Sequence, residues 1–263
     1  MRPRTQTGLA VSGDDEHWIL LNTSPDLRTQ IGACAALQPR GDKRGSPIAA
    51  VVLTGGEIDQ VAGLLHMREG GRYVLLGTAE TFGAIADNSM FDALSSVTRR
   101  AVAPGEAFAL PGGVEAELFQ VPGKVPLYLE SENLHIAEES GANVGVELRV
   151  GAVRLAFVPG AAAITPPMLD RLARADVVLF DGTLFRDDEM IAAGLGTKTG
   201  RRMGHISIAG EDGSLAALAG LKGRRIYIHI NNTNPILIED SAERRQVERA
   251  GFEVAYDGME IAP

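Results

Sequence analysis

The chain has 263 residues, a formal net charge of −9, 45% hydrophobic residues and only 5% aromatic ones. That length fits one large domain or two small ones, with a core built chiefly from Val, Leu, Ile and Ala. Nucleic-acid and anionic membrane surfaces both need clustered Lys and Arg, so the acidic balance argues against either partner.

In chain order, residues 8–12 and 17–23 flank the turn-forming SGDDE and predict a β-hairpin. IAAVVLT (48–54) is continuous and β-branched, as a strand buried on both faces should be. After GGEIDQ, the segment VAGLLHM predicts a helix, and Asp59 can serve as its N-cap. YVLLGT (73–78) reads as a strand, and TAETFGAIADNSMFDALSS as a helix capped by Thr78 or Thr81.

From Ala101 to Leu129, FAL, VEAELFQV and PLYL read as strands, and 129–142 as a polar flap or insertion. VELRV (146–150) and VRLAFVPG (153–160) predict a second hairpin. TPPMLDRLARA predicts a helix with Thr165 at its cap, and DVVLFDGT (176–183) a buried strand ending in an acid. A short helix over 213–220, a strand over 224–231 and a helix over 241–251 capped by Ser241 follow. Strands alternating with helices predict a layered α/β fold, and no linker divides the chain, so a single domain over 1–263 is expected.

Cys34 is the only cysteine, so no internal disulfide can form and a reducing compartment fits. MRPRTQTGLAVS has no apolar core for a secretory signal, and IAAVVL is too short to span a bilayer. A soluble, cytoplasmic protein is expected.

Polar side chains gather where the predicted strands end, which is where layered α/β folds bind ligands. Asp59 and His229 form a carboxylate–imidazole pair suited to a first-row transition metal, although a helix cap and a buried histidine are the plainer readings. Asp181 and His205 form a second pair, able to move a proton or orient a ligand, although each also suits a turn or loop. GLGTKTGRRMGH (194–205) is locally basic, and Lys198, Arg201 and Arg202 can clamp a carboxylate-rich small molecule or simply lie in solvent. Asn231 and Asn232 follow His229 and join the candidate substrate-binding residues.

SPIAAVVLTGGEID (46–59), VPGKV (121–125), FDGTLFRDDEMIAAGLGTKTGRRMGHISI (180–208), HINNTNPIL (229–237) and YDGMEI (256–261) together resemble the B-protein family of pyrroloquinoline quinone (PQQ) biosynthesis. The resemblance implies the metallo-β-lactamase fold, a four-layer αβ/βα sandwich of two mixed sheets flanked by helices. It also implies iron-dependent hydroxylation of the Glu–Tyr-derived, carboxylate-rich precursor of PQQ. A carrier of PQQ or its precursor, and a metal-dependent hydrolase, are the alternatives. A homodimer is left open.

The superfamily metal motif Thr-His-x-His-x-Asp-His aligns with Thr54–Gln60, so Gly55 and Glu57 stand at its two leading histidines. Lys124 stands at the histidine that follows Pro-Gly, which implies that one of two metal sites is lost. The other implies one iron(II) ion on Asp59 and His229, with Gln60 a weak contact where the family has a histidine. Asp181 and His205 resemble the acid–histidine pair of phosphodiesterase-like members. Family members begin with a strand and a Cys-x-Cys-x-x-Cys cluster that this sequence does not contain, so the structural zinc is not expected, and an unpaired sheet edge is.

Overall fold

Runs that are apolar at every position need cover on both faces, and the strands obtain it by lying between helices and a second sheet. The computed structural model describes residues 3–41, 45–68, 73–130 and 136–262. Within them, β1 (Leu9–Val11), β2 (Trp18–Leu21), β3 (Ile48–Val52), β4 (Val74–Gly77) and β5 (Thr98–Ala101) form one sheet in that order. The predicted first hairpin is present as the antiparallel β1–β2 pair, and β2 to β5 run parallel. Among the described residues β1 is an edge of this sheet.

The second sheet contains β6 (Ala107–Leu110), β7 (Val114–Gly123), β8 (Glu138–Val150), β9 (Val153–Val158), β10 (Val177–Asp181), β11 (Arg224–Ile228) and β12 (Phe252–Val254). Its β6–β9 half is antiparallel and its β9–β12 half parallel, so both sheets are mixed. The helices are α1 (Leu27–Ala33), α2 (Ile58–Val61), α3 (Ala79–Ala86), α4 (Pro166–Leu172), α5 (Glu189–Ala192), α6 (Gly200–Met203), α7 (Ser214–Ala217) and α8 (Ala242–Arg249).

Three apolar clusters fill the three spaces between four layers. Ala50, Val52, Phe157, Leu179, Ile226 and Ile228 pack between the sheets. Their strand neighbours Val51 and Leu53 face outward onto Leu27, Leu64 and Ile85. Val178, Phe180 and Tyr227 face the other way, onto Met168, Leu172 and Val247. Side chains alternate across a strand, so each of these strands serves two cores. Burying one such Val, Leu or Phe contributes roughly 1.5–3 kcal/mol. The sequence-level expectation of a layered α/β sandwich is met.

Several local expectations change. PLYL is a 3₁₀ turn over Leu127–Leu129 with Pro126 ahead of it, not a strand. The helix after β3 begins at Ile58 with Glu57 at the cap position, and continues as a 3₁₀ segment over Ala62–Met67. Asp59 therefore lies in its first turn and does not cap it. The long helix predicted from Thr78 breaks after Ala86 and resumes as a 3₁₀ segment over Ser89–Leu94. Thr78 is its cap, accepting the Thr81 N–H at 3.0 Å. Thr165 sits at the cap position of α4 but gives its hydroxyl to Glu139. Of the expected 129–142 flap, residues 138–142 belong to β8, whereas 131–135 lie outside the described residues. Among the described residues no helix is long and apolar enough to cross a membrane.

Candidate metal centre

The ends of three strands bring the site together. β3 leads through Thr54–Glu57 to Asp59, β10 ends at Asp181, and His229 directly follows β11. Asn22 and Thr23, just beyond β2, fix the first of these loops. Thr54 N–H donates to Asn22 Oδ1 at 2.9 Å, and both Thr23 N–H and its hydroxyl donate to the Gln60 carbonyl, at 2.8 and 3.0 Å. A bridge between Gly55 and Asn143 ties the loop to the other sheet.

His229 Nε2 lies 2.7 Å from Asp59 Oδ2. On its other side, His229 Nδ1 lies 2.7 Å from the Thr183 hydroxyl, which donates to Asp181 Oδ1 at 2.6 Å. A hydroxyl has one proton, so while Thr183 donates to Asp181 it must accept from His229 Nδ1–H. Nδ1 is thereby occupied, and Nε2 is the nitrogen left for a ligand. His229 has φ +52°, a left-handed conformation that a non-glycine residue adopts at a cost of order 1–3 kcal/mol. Such backbone persists where the surroundings hold it, here the Asn231 N–H on the Thr183 carbonyl and the Thr183 hydroxyl beside the His229 carbonyl.

Asp181 is fully buried and accepts four bonds: from Ala161 N–H, Thr183 N–H, the Thr183 hydroxyl and His205 Nδ1, the last at 2.7 Å. With Nδ1–H given to Asp181, a neutral His205 carries its lone pair on Nε2, and its ring stacks on that of His229 with centroids 5.2 Å apart.

Burial alone pushes the Asp181 carboxyl up, but His205, His229 and Thr183 outweigh it and hold it below the ordinary 3.8. Asp59 follows the same pattern: burial raises it, and the His229 hydrogen bond with the charges of His229 and His205 brings it below 3.8. Burial works against the charged form of His229, yet the Asp59 and Asp181 carboxylates lift it above 6.5.

The donor set fits a transition-metal ion. Ligand atoms of Asp181, His205 and His229 lie within 4.8 Å of one another, and the Asp59 carboxylate reaches His229 from the opposite side. The Thr183 hydroxyl lies among Asp181 Oδ1 and both Nδ1 atoms, at 2.6 to 3.1 Å. Asp181 and Thr183 thus act through the histidines, setting their orientation, while Asp59, His205 and His229 face the pocket.

Gln60 lines that pocket, but its amide oxygen accepts the Glu57 N–H at 3.2 Å. The Glu57 carboxylate receives Lys124 Nζ at 3.0 Å. An ion pair therefore stands where the resemblance sets one histidine of the Thr54–Gln60 motif, at Glu57, and the histidine that follows Pro-Gly, at Lys124.

The basic loop divides. Lys198 and Arg202 both reach Glu130, at 3.4 and 3.1 Å. Arg201 instead pairs with Asp212 in solvent. Asn231 Nδ2 turns to Thr233 and Met190, and Asn232 is exposed. The pocket, of about 120 Å³, is lined by Asp59, Gln60, Lys124, His205 and His229. Lys124 and Gly123 also line an adjoining cavity of about 590 Å³ with Glu80, Pro126 and Ser140. Sequence reasoning missed Thr183, Asn22, Thr23 and Glu130; the Asp-Gly-Thr turn was the available signal for Thr183.

A β-lactamase superfamily domain model matches residues 17–230. The chain is 50% identical to coenzyme PQQ synthesis protein B of Methylorubrum extorquens strain PA1, over 99% of this chain and 88% of that protein. The corresponding protein of Ruegeria pomeroyi is 49% identical, over 99% of this chain and 89% of its own length. Among solved structures, Zn²⁺-bound PqqB from Methylobacterium extorquens superposes with a TM-score of 0.98 at 50% identity, covering 100% of this chain and 89% of that one. A diphosphatase of the PhnP family shares the fold alone, at TM-score 0.62 and 19% identity over 94% of this chain and 80% of its own. The chain belongs to the coenzyme PQQ synthesis protein B family of the β-lactamase superfamily.

Proposed function

We propose that this chain acts in PQQ biosynthesis as an iron(II)-dependent hydroxylase of the carboxylate-rich, Glu–Tyr-derived precursor. The observation that carries the reading is the sparse donor set at the pocket, the Asp59 carboxylate against His229 Nε2 with His205 beside them, next to a cavity large enough for a small substrate. Asp59 and His229 would hold the ion, with Asp181 and Thr183 fixing the imidazole. Iron(II) bound there supplies redox chemistry with dioxygen that no side chain of the chain provides.

The protein's own groups do the rest. His205 Nε2, oriented through Asp181, accepts a proton from the ring hydroxyl of a bound substrate or returns it. Lys198 and Arg202, gathered on Glu130, would hold substrate carboxylates, whereas Arg201, Asn231 and Asn232 are engaged elsewhere or exposed. In the balanced reaction one oxygen atom enters the ring and the other leaves as water, with two electrons from an external reductant.

The test is to incubate the iron-loaded chain with precursor, reductant and isotopically labelled dioxygen. The reading requires a product carrying one labelled oxygen atom. Absence of labelled product from a chain that holds iron and binds the precursor would overturn it.

A carrier is the second reading, favoured by the engagement of Gln60 with Glu57 N–H, which turns its amide oxygen away from a ligand role. A carrier binds PQQ or its precursor equally well without metal, which equilibrium titration of the metal-free chain decides. A two-metal hydrolase is disfavoured because the Glu57–Lys124 pair stands in the second site.

A further inference from the structure

Glu130 is a carboxylate held by three cations. Lys124 Nζ lies 3.2 Å from one of its oxygens, and Arg202 Nη2 and Lys198 Nζ lie 3.1 and 3.4 Å from the other. The side chains of Glu130 and Lys124 are only 12% and 10% exposed, whereas Lys198 and Arg202 are each 40% exposed, so the cluster is buried at its centre and open to solvent on its outer side. Burial by itself would raise the Glu130 carboxyl, but Arg202, Lys124 and Lys198 bring it down to about 2.

Two features show that Glu130 fills the cluster incompletely. Among the described residues, Glu57 and Glu130 are the carboxylates paired with Lys124, Lys198 and Arg202, two acids against three cations in a chain of net charge −9. Arg202 also engages Glu130 through Nη2 only; its Nη1 is buried and has no hydrogen-bond partner among the described residues. A guanidinium fork is matched by a carboxylate that takes both terminal nitrogens, and an unpaired buried donor is costly.

The cluster is coupled to the metal centre by covalent and packing contacts. Arg202 lies in α6, which ends at Met203 and is capped by Gly204, just before His205. Gly204 has φ +87°, and a Cβ there would meet Lys124 Cγ at 3.1 Å, so glycine is what lets the Lys124 stem pass. Lys124 lines both the metal pocket and the larger cavity.

We propose that Lys124, Lys198 and Arg202 form a carboxylate receptor beside the metal pocket, and that Glu130 is its built-in competitor, displaced when a ligand carboxylate takes both arms of Arg202. This deepens the hydroxylase reading and rests on it for the identity of the natural ligand. It selects anionic substrates, because a neutral molecule gains nothing by displacing Glu130.

The test uses glutarate, a plain dicarboxylate, with neutral glutaramide as control, titrated calorimetrically into the metal-free chain. Glu130→Gln should bind glutarate about tenfold more tightly than the natural chain, glutaramide should not change, and adding Arg202→Met should abolish the gain. Equal or weaker glutarate binding by folded Glu130→Gln overturns the proposal. Should Glu130→Gln fail to fold, Glu130→Asp replaces it with the same outcomes, since it draws the carboxylate back by one methylene. Glutarate binding needs neither iron nor dioxygen. Tighter glutarate binding without precursor hydroxylation refutes the hydroxylase alone; hydroxylation with unchanged glutarate affinity refutes the receptor alone.

Discussion

His229 lies between two carboxylates that differ in reach: Asp59 touches its Nε2 at 2.7 Å from 170 residues away, and Asp181 acts on its Nδ1 through the Thr183 hydroxyl. The two nitrogens thereby acquire different tasks. Nδ1 is committed to orientation, and Nε2 faces Asp59 at the pocket, where an ion can replace the proton they share.

Thr183→Val keeps the shape of the side chain and removes the hub. Asp181 loses one of its donors and His229 Nδ1 is left without its acceptor. Metal affinity should fall about 10–100-fold. Stability should fall by roughly 1–3 kcal/mol, the cost of unmatched buried polar groups. Competitive zinc titration and urea unfolding measure the two effects; unchanged metal affinity would show that the hydroxyl does not orient His229.

The metal-free pair gives a pH signature. His229 has its pKa raised above 6.5, so its contribution is complete below 6.5 and is lost as pH rises through the raised value. Asp59 has its pKa lowered below 3.8, so its contribution is complete above 3.8 and is lost as pH falls through the lowered value. Urea unfolding of the metal-free chain against Asp59→Asn should show the largest stability difference between pH 3.8 and 6.5, narrowing as pH rises through the raised His229 value. A difference that grows with pH would mean the pair carries no shared proton.

Gln60→His exchanges an amide oxygen bonded to Glu57 N–H for an imidazole beside Asp59. Imidazole suits iron and zinc far better than an amide oxygen, so affinity for either should rise about tenfold or more. Measured affinity no higher than that of the natural chain would place position 60 outside the ligand shell.

Much of this was legible in the sequence because strands announce themselves by apolar runs and ligands gather at strand ends. Asp59, Asp181 and His229 stood out in that way and His205 as the histidine closing the glycine-rich loop, and the structure brings them into one site. Thr183 was not legible as the hub, because its role depends on two histidines brought in by other elements. The destination of Lys198 and Arg202 was hidden similarly, since Glu130 lies in a polar stretch and meets them only after folding. Arg201 and Arg202 are adjacent in sequence yet diverge, because successive residues of a helical turn point about 100° apart. PLYL misled by its apolar composition; its first residue, Pro126, favours a turn.

The central claim is that Asp59 and His229 are the residues that hold the metal. The most direct measurement is equilibrium binding of iron(II) and zinc to the natural chain, Asp59→Asn and His229→Ala, with folding checked by circular dichroism. The account predicts one ion bound by the natural chain and a loss exceeding about 100-fold in each folded variant, beyond the range for residues that only orient a ligand. Natural affinity retained in either variant would contradict it and move the centre to Asp181 and His205.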